Sequence, residues 1–284
     1  MPSVRERWLF DGWELTQGTV RDWAYRGGTG DTTSFVGENT MVPGRSGAMW
    51  RPKVQGPATF SLDVWIKGAD RETVQGEYRT LLRAVRRRHR MVNVVRTLAS
   101  GEQITADVEV IGGITPQYLS QRVWRASIAF SIPAGAWRSV TSYSHVSSQA
   151  NATFPKTLVL TNLEPSTEAH DELVIKVHGP GAHITVTDVT DGVDGDWFWY
   201  AAAMTADQWF TLDCKTWAIT AGKDSAPADG TWFNPHAVHH NGARYLSVPA
   251  ARPGQTPTVR VAVAGANGTT ATYVQVSGAR SYAA

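Results

Sequence analysis

Two stretches of this chain alternate apolar and polar residues at every second position, and that period is the tightest constraint on its fold. Over 57–66, Phe60, Leu62, Val64 and Ile66 fall on one side, with Ser61, Asp63 and Trp65 on the other. Over 122–132, Ala126, Ile128, Phe130 and Ile132 alternate with Ser127, Ala129 and Ser131. Successive strand residues point to opposite faces, so each stretch reads as a strand with one buried face. Further strands are expected at 92–96 and at 106–111, where Val108 and Val110 alternate with Asp107 and Glu109. Residues 1–25, carrying Trp8, Phe10, Trp13, Trp23 and Tyr25, are expected to form a first hairpin.

One segment follows a different period. Val74, Tyr78, Leu81, Leu82 and Val85 recur at i, i+4, i+7, i+8 and i+11, which is one stripe on a helix. Asp70 is placed to cap it; Glu72 near its start and Arg86, Arg87 and Arg88 near its end suit the helix dipole.

The second half carries no such helical stripe. Short strands are expected at 157–161, 172–178, 183–187, 197–200, 208–213, 216–220, 244–248, 257–263 and 271–276. Turn pairs punctuate them, among them Asp191-Gly192, Asn241-Gly242 and Asn267-Gly268. Strands at this spacing indicate a β-sandwich of jelly-roll or galectin type. The chain is therefore read as mainly β in two domains. The first, 1–138, is sandwich-like with one helix and closes at Pro133–Trp137; the second is 139–284, with 139–156 a linker or first extended edge.

Charge divides at the same place. Residues 1–138 hold 19 Lys and Arg against 13 Asp and Glu, a net of +6; residues 139–284 hold 8 against 12, a net of −4. Two modules of opposite sign fit that asymmetry. The single cysteine, Cys214, rules out an intramolecular disulfide and is expected to be a buried, inert thiol. No stretch approaches the roughly 20 apolar residues of a membrane-spanning helix. The start lacks the apolar segment of a Sec signal, so neither a membrane span nor Sec export is expected.

Motifs for catalysis are missing from the sequence: there is no Gly-x-Ser-x-Gly, no phosphate loop and no supported Cys–His pair. No enzyme activity, cofactor or metal is expected. His236, His239 and His240 lie close together, but Pro235 and Asn241-Gly242 break the helix a zinc site would use, so they read as loop or interface residues. Asp188, Asp191, Asp194 and Asp196 lack calcium-loop spacing and read as turn residues. The basic run Arg83, Arg86, Arg87, Arg88 and Arg90 reads first as a solvated helix end, with a partner contact or DNA phosphate contact as alternatives. In Trp197-Phe-Trp-Tyr200, Trp197 and Trp199 share one face and Phe198 and Tyr200 the other; one pair must be core. The outward pair, or Trp232, is a candidate for contact with host-surface glycan.

The order of these features resembles the distal tail (Dit) family of long-tailed phages, in particular the minor tail proteins of phages infecting actinobacteria. The matching residues in the first half are Asn39 to Gly47, the strand and helix that follow, and the exit Phe130 to Trp137. In the second half they are His170 to Gly181, Trp209 to Cys214, Trp217 to Gly222, Tyr245 to Pro249, and 273–282. The resemblance implies a structural virion protein at the distal end of the tail, assembled in the host cytoplasm. It implies a hexameric ring of first domains, galectin-like second domains outside it, and a belt-like loop reaching the next subunit. Arg26, Met41, Pro43, Arg45 and Met49, in and beside the 26–48 loop, become candidate intersubunit contacts. The implied partners are the tail tube protein on one side and a tail-associated hub or fibre protein on the other, with the tape measure protein a further candidate. DNA would meet the ring only in transit through its channel.

Overall fold

A computed structural model of the chain describes residues 6–15, 21–26, 35–36, 40–41, 48–49, 54–87, 89–147, 154–241, 245–264 and 272–283. Contacts divide the chain into two units: Met1–Val140 with Tyr282–Ala284, and Thr141–Ser281.

The first unit begins with β1 (Arg7–Phe10), β2 (Trp13–Glu14) and β3 (Arg21–Arg26). Four two-residue strands follow: β4 (Phe35–Val36), β5 (Thr40–Met41), β6 (Ala48–Met49) and β7 (Val54–Gln55). Then come β8 (Ala58–Lys67), helix α1 (Arg71–Val85), β9 (Val92–Thr97) and β10 (Gln103–Ile111). The run ends with β11 (Pro116–Ser120), β12 (Val123–Ile132) and β13 (Ala136–Val146), which starts in this unit. One antiparallel sheet runs β2, β1, β9, β10, β13. A second runs β3, β8, β12, with β11 and the end of β10 following one another along the far edge of β12. Strand β10 therefore serves both sheets.

Alternation explains the core between them. Phe60 pairs with Phe130, Leu62 with Ile128 and Val64 with Ala126, and all six side chains are buried. Phe60 and Phe130 stack with ring centroids 4.9 Å apart. Trp8 of β1 and Trp137 of β13 reach Phe60 at 5.6 Å and 5.3 Å. The opposite face of β8 departs from a simple solvent face. Asp63 is buried there, and Arg125 reaches its carboxylate at 2.6 Å while lying over the Trp65 ring.

Helix α1 follows the spacing of its apolar residues. The Asp70 carboxylate accepts from the Thr73 N–H at 2.8 Å, capping the first turn. Val74, Leu81, Ala84 and Val85 are buried; Tyr78 donates its hydroxyl to the Ile114 carbonyl.

The second unit holds β14 (Lys156–Val159), β15 (Val174–His178), β16 (Ala182–Asp188), β17 (Trp197–Tyr200) and β18 (Gln208–Asp213). It continues with β19 (Ile219–Lys223), β20 (Val238–His240), β21 (Thr258–Ala264) and β22 (Tyr273–Ala283), whose last residues return to the first unit. One sheet runs β19, β18, β15, β22, and the other runs β14, β21, β16, β17, β20. Val177, Phe210 and Val274 from the first meet Val186, Phe198, Tyr200 and Val261 from the second in one buried core. This is a β-sandwich, as the turn-punctuated pattern predicts.

One open alternative is decided and two expectations shift. Of the linker and the extended edge read for 139–156, the stretch 139–146 is the latter, as the second half of β13. The strand expected at 216–220 starts at Ile219, because the Asp213 carboxylate accepts from the N–H groups of Lys215 and Thr216 and holds a turn there. At 245–248 there is no ladder; Val248 makes only a bridge to His170, while β20 forms at Val238–His240.

Replacing Phe60 by Ala should cost the first unit about 3–5 kcal/mol. Asp70→Ala, which removes only an exposed cap, should cost less. Denaturant unfolding of the two variants checks this order; equal losses would contradict it.

Candidate functional site

The sequence offers three groups of candidate residues, and the structure treats them differently. In the first unit, β1 and β2 are joined by Asp11 and Gly12, whose φ angles are +48° and +81°. Two successive left-handed residues make the tight hairpin turn that matches strand twist, and Gly12 takes that conformation without a Cβ penalty. The turn presents the Asp11 carboxylate to the basic run. Arg90 grips it with two hydrogen bonds, at 3.1 Å and 2.8 Å, Arg87 approaches at 3.6 Å, and the Asn93 N–H adds a third donor. Burial by itself raises the Asp11 pKa; the hydrogen bonds from Arg90 and Asn93 and the charges of Arg90 and Arg87 outweigh it and hold the carboxyl below its ordinary value.

The basic surface is thus partly spent on the fold. Arg90 and Arg87 clamp a hairpin, Arg86 closes the helix as its C-cap and Arg83 lies exposed on the last helical turn; Arg88 lies outside the described residues. Arg86 and Arg87 also line a cleft with Glu109.

The candidate intersubunit residues fall on the arm between β3 and β8. Arg26 ends β3; Met41 lies in β5 and Met49 in β6. Strands β4 and β7 pair through Phe35↔Gln55 and Val36↔Val54, and β5 and β6 through Thr40↔Met49 and Met41↔Ala48. Each pair is its own two-stranded antiparallel sheet. Pro43 and Arg45 lie outside the described residues. Sequence reasoning missed a second exposed element. Strand β11 pairs with β12 along one edge, and on it Tyr118 and Leu119 are 63% and 50% exposed. Its Pro-led sequence lacks alternation because neither face of the strand is buried.

In the second unit, Trp197 and Trp199 do share the outward face of β17, half-buried, while Phe198 and Tyr200 enter the core. Trp232 does not join them. It donates its indole N–H to the Gly222 carbonyl at 3.2 Å and packs edge-on to Phe233, so it is a structural residue of the other sheet's margin. The histidines diverge as adjacent strand residues must. His239 meets Trp199 at 5.3 Å, whereas His240 meets Trp217 and Tyr245. The acidic loop is likewise dispersed. Asp191 pairs with Arg252, Asp194 with Arg260, and the buried Asp188 accepts from the Thr190 N–H and hydroxyl. Burial raises the pKa of Asp188 and of Asp196. Among the described residues no group of three His, Cys, Asp or Glu is placed to hold a metal. Cys214 is buried in the core, as expected of a structural thiol. No helix among the described residues is long and apolar enough to cross a membrane.

A β-rich unit with one amphipathic helix among the described residues, followed by a β-sandwich, is a fold shared with a solved phage tail protein. The comparison that shows it is with the crystal structure of the Dit protein of phage SPP1, presented as a paradigm of the hub adsorption apparatus in phages infecting Gram-positive bacteria. The TM-score is 0.58 at 9% identity, over 98% of this chain and 99% of that one. Two structures of the phage P2 baseplate in its activated conformation, with calcium and with strontium, align at TM-scores of 0.40 and 0.39 and 10% identity. They cover 98% and 96% of this chain and 98% of each of theirs. No family model and no curated protein sequence matches the chain.

The Asp11 clamp has a pH signature. Its folded pKa is depressed, so its contribution is present above the unfolded value of about 3.9 and is lost as pH falls through the lower folded value. The stability difference between wild type and Asp11→Asn should therefore shrink as pH drops below about 4. Urea unfolding at stepped pH measures it; a difference undiminished at pH 2, roughly two units below that reference, would contradict the clamp.

Proposed function

We propose that this chain is a structural protein of a long-tailed phage virion, a ring-forming adaptor at the distal end of the tail. The observation that carries the reading is the whole-length agreement of fold with SPP1 Dit, from the first β-rich unit through the sandwich. The chain joins the tail tube protein on one side to hub or fibre proteins on the other, and DNA crosses its channel only in transit. Its contribution is architecture, not catalysis.

Two features of the first unit support assembly through it. The pairs β4–β7 and β5–β6 lie in the segment that holds the candidate intersubunit residues Met41 and Met49. The β11 edge presents Tyr118 and Leu119 to solvent, and an exposed apolar edge strand is a template for pairing with another chain. A ring of identical copies buries such an edge against a different surface of the next copy and closes on itself.

Light scattering on the purified protein tests the reading. A closed hexamer has six times the 31.0 kDa mass of one chain. Leu119→Glu should shift that species toward monomer while changing the stability of the folded chain by no more than about 0.5 kcal/mol, as for an exposed substitution. A wild type that stays monomeric at every concentration would contradict the ring. Rings untouched by Leu119→Glu would remove β11 from the interface.

A further inference from the structure

The outward face of the second unit's five-stranded sheet carries a groove that assembly through the first unit does not explain. Its volume is about 330 Å³, and it is lined by Thr185, Thr187, Asp194, Trp197, Trp199 and Arg260. Register brings them together from three strands: Thr187 lies opposite both Trp197 and Arg260, and Thr185 lies opposite Trp199. We propose that this groove binds a neutral hexopyranoside, with the two indoles as its platform and the flanking polar groups as its hydroxyl readers.

The platform is rigid. Strand β17 is held between β16 and β20 along its length, so the indoles stand on an interior strand and not on a loop. Trp199 is further braced on two sides, by His183 stacked at 5.9 Å and by His239 at 5.3 Å. Preset aromatic side chains give large contact area at little entropic cost on binding. A pyranose ring offers one apolar C–H face and a rim of hydroxyls, and a site for it needs flat apolar surface beside a few fixed polar groups.

The polar rim selects against charge. Arg260 and Asp194 face each other at 2.7 Å, so the pair presents one donor group and one acceptor group with no net charge. An acidic sugar would have to sit beside the Asp194 carboxylate or displace it. The Thr185 and Thr187 side chains add hydroxyls that donate or accept. A peptide strand is a poorer fit. Both backbone edges of β17 are already paired, leaving no ladder to extend.

A glycan array that includes neutral glucosides, galactosides and mannosides alongside uronic and sialic acids, probed with the full chain, tests the class. Titration calorimetry with the best neutral disaccharide then gives a one-to-one affinity that ring formation does not inflate. We expect neutral glycans to be retained, and affinity to fall by about tenfold or more in Trp199→Ala, the loss expected for one stacking contact. Thr185→Arg, which keeps both indoles and fills the groove, should abolish binding and serves if Trp199→Ala unfolds. Leu119→Glu, in the other unit, should leave the calorimetric affinity unchanged, which separates this site from the assembly reading. Failure of wild type to retain any neutral glycan, preference for acidic glycans, or binding indifferent to the groove variants would overturn the proposal.

Discussion

Phe60 stands where the first unit's two sheets meet. Phe130 stacks on it at 4.9 Å from the same sheet, and Trp137 and Trp8 close on it at 5.3 Å and 5.6 Å from the other. With a single cysteine in the chain, no intramolecular disulfide can do this work, so the unit rests on apolar burial. The contact also sets register. A slip of one residue between β8 and β12 would turn one of the two apolar rows outward, that of Phe60 or that of Phe130, and bring Ser61 or Ser127 to the core in its place. The position of every other feature of the unit follows: the edge offered by β11, the hairpin gripped by the basic run, and the helix laid across the core.

Much of that core was legible in the sequence because alternation is a local signal. Phe60, Leu62, Val64 and Ile66 announce a buried face, Val74 to Val85 announce a helix, and both are observed. The inward turn of Phe198 and Tyr200 follows from the same rule. What escaped was non-local or lacked a period. Strand β11 is exposed on both faces and so shows no alternation. Strand β20 is three residues long and exists because β17 offers it an edge. Trp232 looks like a surface aromatic in sequence, yet its indole N–H is claimed by Gly222, ten residues away. Arg260 lies too far along the chain from Trp197 for spacing to join them; only the β16 register does so.

The basic run, read from sequence first as a solvated helix end, has a further structural part: Asp11 draws Arg87 and Arg90 into a clamp, and Glu109 lines a cleft with Arg86. Positive charge here stabilises a hairpin. The surfaces proposed for partners are apolar and aromatic instead: Tyr118 and Leu119 in the first unit, and Trp197 and Trp199 in the second. On the two proposals made above, architecture and recognition fall on separate units, each built on its own core.

Cryo-electron microscopy of the purified full chain tests the central claim most directly, that the first unit exists to close a circle of copies. A closed ring of six, lined by first units with the 26–48 segment reaching the adjacent copy, is the predicted image. Isolated single particles at high concentration, or a ring closed through the second units alone, would contradict it.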